Sequence, residues 1–173
     1  NKKTNLENVQ KLVNLCNDLV FDFCVITGDV IDTKVKFIKE QLQILNTLKF
    51  EVYYISGNHD LFYGLEDLKK ELSNFIFMDN SCKEFIYKNE TIFLAGLPDR
   101  FSKFFGIKRE EQKIKNYLLN EPSIFISHQP KDYKISLNLN LGYYDLMFAF
   151  ADVNGKMIDN KYKVFKLNGI KIN

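Results

Sequence analysis

The chain has two histidines, His59 and His128, and each stands where a short apolar run gives way to polar residues. Val52-Tyr53-Tyr54-Ile55 stops at Ser56-Gly57-Asn58-His59-Asp60, and Ser123–Ser127 stops at His128-Gln129-Pro130. A third apolar run, Phe21–Thr27, ends in Gly28-Asp29-Val30-Ile31-Asp32. Amide, imidazole and carboxylate groups ligate metals and move protons. A set of Asp, Asn and His offers mixed oxygen and nitrogen ligation, which suits Mn, Fe or Zn better than the all-oxygen preference of Ca. No cysteine accompanies the set, which argues against a structural zinc site. Each cluster alone has a plainer reading: Gly28-Asp29 as a turn, Asn58-His59 as loop surface, His128 as a local hydrogen-bonding group. Their joint occurrence at the same place in successive units is what points to a site.

The elements that must position these groups are legible as hydrophobic periods. Asn5–Val20 places Leu6, Val9, Leu12, Val13, Leu15 and Cys16 on one helical face, and Lys34–Leu48 does the same with Phe37, Ile38, Leu42, Ile44, Leu45 and Leu48. Glu51–Ser56 reads as a buried strand and Leu65–Leu72 as a short helix with charges turned outward. Phe75–Met78, Glu84–Lys88 and Thr91–Ala95 read as strands, the last two joined at Asn89-Glu90. Gly96-Leu97-Pro98-Asp99-Arg100 opens a loop, Lys108–Leu119 is an amphipathic helix, and Ser123–Ser127 and Asp145–Phe150 are further apolar strands. The tail carries two hairpin dipeptides, Asn154-Gly155 and Asn168-Gly169. Helices alternating with apolar strands indicate βαβ units, whereas the middle and tail look like hairpins, so a mixed sheet or two packed sheets is expected. In open α/β sheets, ligands lie beyond the carboxyl ends of strands. Parallel neighbours would therefore bring Asp29, Asn58, His59 and His128 to one edge.

Composition excludes several classes. The 173 residues are 46% hydrophobic and 27% charged, as in a folded globular domain and unlike a disordered chain. A formal charge of +2, with acids and bases interspersed, supplies no phosphate-tracking surface for nucleic acid. Cys16, Cys24 and Cys82 are odd in number and lack metal spacing, so free thiols in a reducing, cytoplasmic compartment are expected, with Cys24 buried. No stretch approaches the ~18 apolar residues of a membrane span, and no signal peptide is visible.

In order and spacing, Gly28-Asp29, Gly57-Asn58-His59-Asp60 and Ser127-His128 resemble three signature blocks of the calcineurin-like metallophosphoesterases. The resemblance runs from about Leu6 to Ala149. Leu94-Ala95-Gly96-Leu97-Pro98-Asp99 and Ile126-Ser127-His128-Gln129-Pro130 look most like the bacterial branch of peripheral membrane phosphoesterases and UDP-2,3-diacylglucosamine hydrolases. The resemblance implies an α/β fold, a four-layer α/β/β/α sandwich of two packed mixed sheets flanked by helices, in one domain spanning 1–173. It implies two divalent metal ions (Mn, Fe or Zn). Asp29 would bridge them and Asn58 and His128 would ligate the second. His59 would face the phosphate as general acid or charge stabiliser, with Asp32 orienting it. The implied chemistry is in-line attack on a phosphodiester or phosphomonoester by a metal-activated hydroxide.

Two family blocks are not in the sequence. Asp-x-His would lie on a strand upstream of Asn1, so the N-terminal strand is expected to be absent. Gly-His-x-His should follow a strand like Asp145–Ala149, where the chain instead continues Phe150-Ala151-Asp152-Val153-Asn154-Gly155. Either Asp152 and Asn154 replace the lost histidines, or this is a hairpin turn and part of the C-terminal region is absent; the break in register after Ala149 favours the second account. The expected function is metal-dependent phosphoester hydrolysis, and the rival is a degenerate binding or scaffolding module that keeps the fold. Phe101, Phe104, Phe105 and Ile107, interleaved with Arg100, Lys103, Lys108 and Arg109, suit a lipid headgroup surface. They would fit a lipid substrate or a peripheral location at the inner membrane face. Packing of the same phenylalanines into the core is the equal alternative.

Overall fold

A computed structural model describes residues 6–19, 22–87, 89–119, 123–132 and 145–146. It divides into two compact units, Asn1–Phe77 and Met78–Asn173. Each unit contains one sheet with its own helices, which bears out the expected α/β class.

In the first unit, helix α1 (Leu6–Asp18) leads to strand β1 (Phe23–Ile26), a 3-10 turn (Val35–Phe37), helix α2 (Lys39–Leu45) and strand β2 (Glu51–Tyr54). Helices α3 (Asn58–Tyr63) and α4 (Leu65–Glu71) and strand β3 (Phe75–Phe77) follow. The sheet order is β1-β2-β3, parallel throughout. β2 is central, which is why its sequence is continuously apolar: Val52, Tyr53 and Tyr54 are all buried. Tyr54, Val52 and Phe75 pack with Ile31, Val35, Leu42, Leu68 and Leu72 into the unit's core. The register sets Ile26 level with Tyr54, so the turns after β1 and β2 leave the sheet side by side.

Three expectations change here. Lys34–Leu48 is not one helix: it breaks at Ile38 (φ −133°, ψ 22°) into the 3-10 turn and α2, leaving Phe37 exposed. The apolar face expected on α1 is only partly used. Val13 is buried, but Leu12 and Leu15 are 53% and 61% exposed. Asn17 pins the helix instead, donating to the Thr47 carbonyl (3.0 Å) and accepting from Lys49 N (2.9 Å). Finally, Phe75–Phe77 is a parallel strand of the first sheet and not part of a hairpin.

In the second unit, β4 (Ser81–Tyr87) and β5 (Glu90–Leu97) form an antiparallel hairpin in which Tyr87 faces Glu90 and Asn89 takes φ 66°. A 3-10 helix (Arg100–Phe105), helix α5 (Glu111–Leu118), strand β6 (Ser123–Ser127), a 3-10 turn (Pro130–Asp132) and strand β7 (Asp145–Leu146) complete it. The order is β4-β5-β6-β7, with β5, β6 and β7 parallel. Ile114 and Leu118 of α5 bury themselves against Ala95, Leu97 and Phe125. Leu97 stands level with Ser127, so Pro98-Asp99 and His128-Gln129 emerge together. The hairpin dipeptides Asn154-Gly155 and Asn168-Gly169, and Asp152, lie outside the described residues. All three cysteines are free, and Cys24 is half-buried.

Tyr53 offers a direct test of the first sheet. Its hydroxyl donates to Glu51 Oε2 at 2.5 Å. Burial first, and the neighbouring Glu51 second, push its phenol from 10.0 up to about 12. The native chain therefore holds this proton after the unfolded chain has released it, and stability falls as pH rises between those two values. Tyr53→Phe should cost about 1 kcal/mol at neutral pH and flatten the alkaline decline in that window. Urea unfolding of both proteins across the alkaline range reads the difference.

Candidate metal centre

The turn after β1 carries Gly28 at φ 95° and Asp29 at φ 58°. A left-handed conformation costs a residue with a Cβ roughly 1–2 kcal/mol, so something must hold Asp29 there. That group is Asp60, whose carboxyl is fully buried. Its Oδ2 accepts from Asp29 N (2.8 Å) and Gly57 N (2.8 Å), and its Oδ1 from Val30 N (3.0 Å) and Ile31 N (3.3 Å). The Tyr54 hydroxyl donates to Oδ2 as well. One side chain at the third position of α3 thus ties together the end of β2, the start of α3 and the whole turn after β1. Burial pushes the Asp60 carboxyl above the ordinary aspartate value, and the hydrogen bonds from Tyr54, Gly57, Asp29 and Ile31 pull it part of the way back.

The tie is returned from the other side. Asp29 Oδ1 accepts from His59 N at 2.9 Å. The two turns approach so closely that a Cβ on Gly57 would lie 2.2 Å from Asp29 Oδ1 and 2.5 Å from Asp29 N. Gly57 is therefore required for close approach of the Asp29 turn, its backbone being ordinary extended (φ −95°, ψ 175°). The effect is to set Asp29 beside Asn58 and His59, as the strand-end reading expected. Both Asn58 and His59 are half-buried, and the His59 ring meets Tyr63 edge-on at 6.0 Å. Asp32 is exposed, and among the described residues no hydrogen bond joins it to His59.

His128 directly follows β6 at the carboxyl end of a parallel strand, as expected, but β6 belongs to the second sheet and is no neighbour of β1 or β2, so His128 does not share one sheet edge with Asp29, Asn58 and His59. Its neighbours are fixed by two buried aspartates, Asp99 and Asp132. Neither Asp60 nor Asp132 was singled out by sequence reasoning, and Asp99 entered it only as part of a loop. The available signal was positional. Gly57-x-x-Asp60 puts an acid where it can reach back to the backbone N–H groups of a helix start.

Among the described residues, no three His, Cys, Asp or Glu side chains gather closely enough to hold a metal ion. Asp29 and Asn58 of the first unit offer carboxylate and amide oxygens, donors that suit a divalent metal, and the locked Asp29–Gly57 approach presents them from a rigid frame; His128, in the second unit, offers an imidazole nitrogen.

Asp60→Asn should separate the frame from the chemistry. An amide keeps one acceptor oxygen but turns N–H groups toward backbone donors, so the variant should lose about 2–4 kcal/mol of unfolding free energy. Tyr54→Phe removes one donor and should lose about 1–2 kcal/mol. Chemical denaturation of both variants checks the order.

Sequence comparisons show the family, and a structure comparison shows a shared fold. The family model, calcineurin-like phosphoesterase, matches residues 3–158. A Helicobacter pylori protein named an uncharacterized metallophosphoesterase is 29% identical over 133 residues, covering 71% of this chain and 34% of its own length. A Campylobacter jejuni protein of the same description is 29% identical over 148 residues, 82% of this chain and 38% of its own. A Danio rerio transmembrane protein with metallophosphoesterase domain is 28% identical over 141 residues, 75% of this chain and 32% of its own. The chain therefore spans about a third of the length of these relatives. The crystal structure of TT1561 of Thermus thermophilus shares the fold, with a TM-score of 0.52 at 14% identity over 84% of this chain and 77% of that one. With the family model covering most of its length, the chain belongs to the calcineurin-like phosphoesterases.

Proposed function

We propose that the chain carries the centre of a metal-dependent phosphoester hydrolase, with Asp29, Asn58 and His128 as metal ligands and His59 as the residue that meets the phosphate. The observation that carries this reading is the lock between the Asp29 and Asn58-His59 turns at the level ends of β1 and β2. Divalent cations, when bound, neutralise phosphate oxygens and acidify water for attack on phosphorus. The chain's own part is to hold the donors still and to supply His59. Its imidazole can protonate the departing oxygen or stabilise charge that develops on the phosphate. The His59 backbone N–H is fixed on Asp29, so the ring is carried on a rigid start of α3. Asp32, three residues beyond Asp29, is proposed as its polar neighbour on the substrate side.

The test is manganese-stimulated cleavage of an aryl phosphodiester, with an aryl phosphomonoester in parallel to assign the substrate class. His59→Ala should lower kcat by about 10²–10⁴-fold while metal uptake measured by calorimetry stays unchanged. His128→Ala should abolish both. A metal-loaded protein that cleaves neither ester would end the enzyme reading. The missing Gly-His-x-His block favours one rival, a module that keeps the fold for binding; that rival predicts no metal uptake and no effect of Asn58 or Asp29 substitution.

We further propose that the substrate is met at an anionic membrane surface, as in the branch of the family that acts on lipid-linked phosphoesters. Exposure supports this reading over core packing: Phe101, Phe104 and Phe105 are 50%, 71% and 45% exposed. They stand on a 3-10 helix that is firmly held, with Asp99 Oδ1 accepting from Phe101 N (2.7 Å) and Ser102 Oγ donating to the Ile107 carbonyl (3.0 Å). Lys103 lies 4.9 Å from the Phe104 ring centre, and Lys108 is exposed nearby in sequence. Among the described residues no helix is long and apolar enough to cross a membrane; the Danio rerio relative is named a transmembrane protein. Wild-type protein should co-sediment with phosphatidylglycerol vesicles and far less with phosphatidylcholine vesicles. The Phe104→Ala/Phe105→Ala pair should lose that binding, and unchanged sedimentation would remove the membrane proposal.

A further inference from the structure

Beyond the ligand assignment lies the question of what holds His128. The side chain of the residue on each side of it is tied to a buried carboxyl group. Before it, Ser127 Oγ donates to Asp132 Oδ2. After it, Gln129 Nε2 donates to Asp99 Oδ2 at 2.7 Å. The Asp132 backbone N–H closes the turn on the Gln129 carbonyl at 3.0 Å.

Both carboxylates are themselves anchored. Asp132 Oδ1 receives Arg100 Nε at 2.7 Å and Nη2 at 2.6 Å, and Oδ2 lies 3.0 Å from Arg109 Nη2. A fully buried carboxylate is sustained only when charge and hydrogen bonds compensate its desolvation, and two guanidinium groups do so here. Arg109 Nη1 also donates to the Pro98 carbonyl at 2.7 Å, and Asp99 caps the 3-10 helix through Phe101 N. The segment Pro98–Arg100 beyond β5 and the segment Ser127–Asp132 beyond β6 are thus cross-tied at several points, with His128 between two of the ties.

We infer that Asp99 and Asp132 are positioning residues for His128: they fix its backbone from both sides so that the imidazole is presented in one orientation. This rests on the reading of His128 as a metal ligand. Groups that orient a ligand characteristically change metal affinity by about 10–100-fold when removed. A network serving stability alone would change unfolding and leave the affinity of the folded protein untouched.

The test is manganese binding by calorimetry on protein shown to be folded by circular dichroism. Gln129→Glu sets two carboxylates against each other and should weaken binding by about tenfold or more. Adding Asp99→Asn reverses the polarity of the bond, amide to carboxylate, and should restore most of the lost affinity. Ser127→Ala, which leaves Asp132 on both arginines, should weaken binding severalfold. If Gln129→Glu does not fold, Gln129→Ala reads the same tie without the added charge. His128→Ala separates the two ideas. If it binds manganese as tightly as wild type, or if wild type binds none, the ligand reading fails and this inference with it. If His128→Ala loses binding while folded Gln129 and Ser127 variants keep wild-type affinity, the positioning inference alone is overturned.

Discussion

Five donors converging on one buried carboxyl group hold the first unit's site together. Placing Asp60 out of water is costly, several kcal/mol for an ion after relaxation. The cost is offset because four backbone N–H groups and the Tyr54 hydroxyl meet it, each bond to a charged acceptor being worth about 1.5–3 kcal/mol. Those same N–H groups belong to segments that no regular ladder can satisfy, since the chain is turning after β1 and entering α3. A neutral side chain of similar size could not accept at both oxygens. The carboxylate therefore resolves two problems at once: orphaned backbone donors at two turns, and the unfavourable left-handed backbone at Asp29.

The second unit reaches the same end with a different means. Its turns after β5 and β6 are joined by side chains: Asp132 on Arg100 and Arg109, Asp99 on Gln129. In both units the paired strands are parallel and their last residues are level, Ile26 with Tyr54 and Leu97 with Ser127. Parallel, level strands release two loops in the same direction, and an acid in or next to one loop can collect donors from the other. Such a frame allows polar residues at the tips to be held rigidly although the tips themselves lack regular structure.

Much of this is legible in the sequence. β1, β2, β5 and β6 announce themselves as apolar runs, and the polar clusters at three of their ends mark the loops that matter. What was hidden follows from short range. α3, six residues long, has no period to read, and its start looks like a loop because Gly57-Asn58 is turn chemistry. The break at Ile38 has no glycine or proline to signal it. On α1, periodicity gave the stripe but not how much of it is covered: Leu12 and Leu15 stand outside while Val13 packs. Asp60 and Asp132 were illegible in role because a buried acid and an exposed one have the same letter, and only partners distant in sequence tell them apart. Asp60 finds three of its five donors about thirty residues away in the chain, as Asp132 finds Arg100 and Asp99 finds Gln129.

That spacing bears on how such a site tolerates change. A buried aspartate that takes most of its donors from backbone N–H groups, like Asp60, constrains chiefly the path of the partner loop, although Tyr54 supplies one side-chain donor and Gly57 is fixed because a Cβ there collides with Asp29. One whose partners are side chains, like Asp132, requires Arg100, Arg109 and Ser127 to be kept with it, because loss of any one leaves buried charge or a buried hydroxyl less well compensated. The two halves should accordingly differ under substitution. Around the first site, Asp60 itself asks only for the backbone path of the Asp29–Ile31 turn, while the Asp29 side chain is held by its own bond from His59 N and Ile31 by the core. Around the second, changes must come in matched pairs, which ties the identity of residues at the ends of β5 and β6 to one another more tightly than their separation in the chain would suggest.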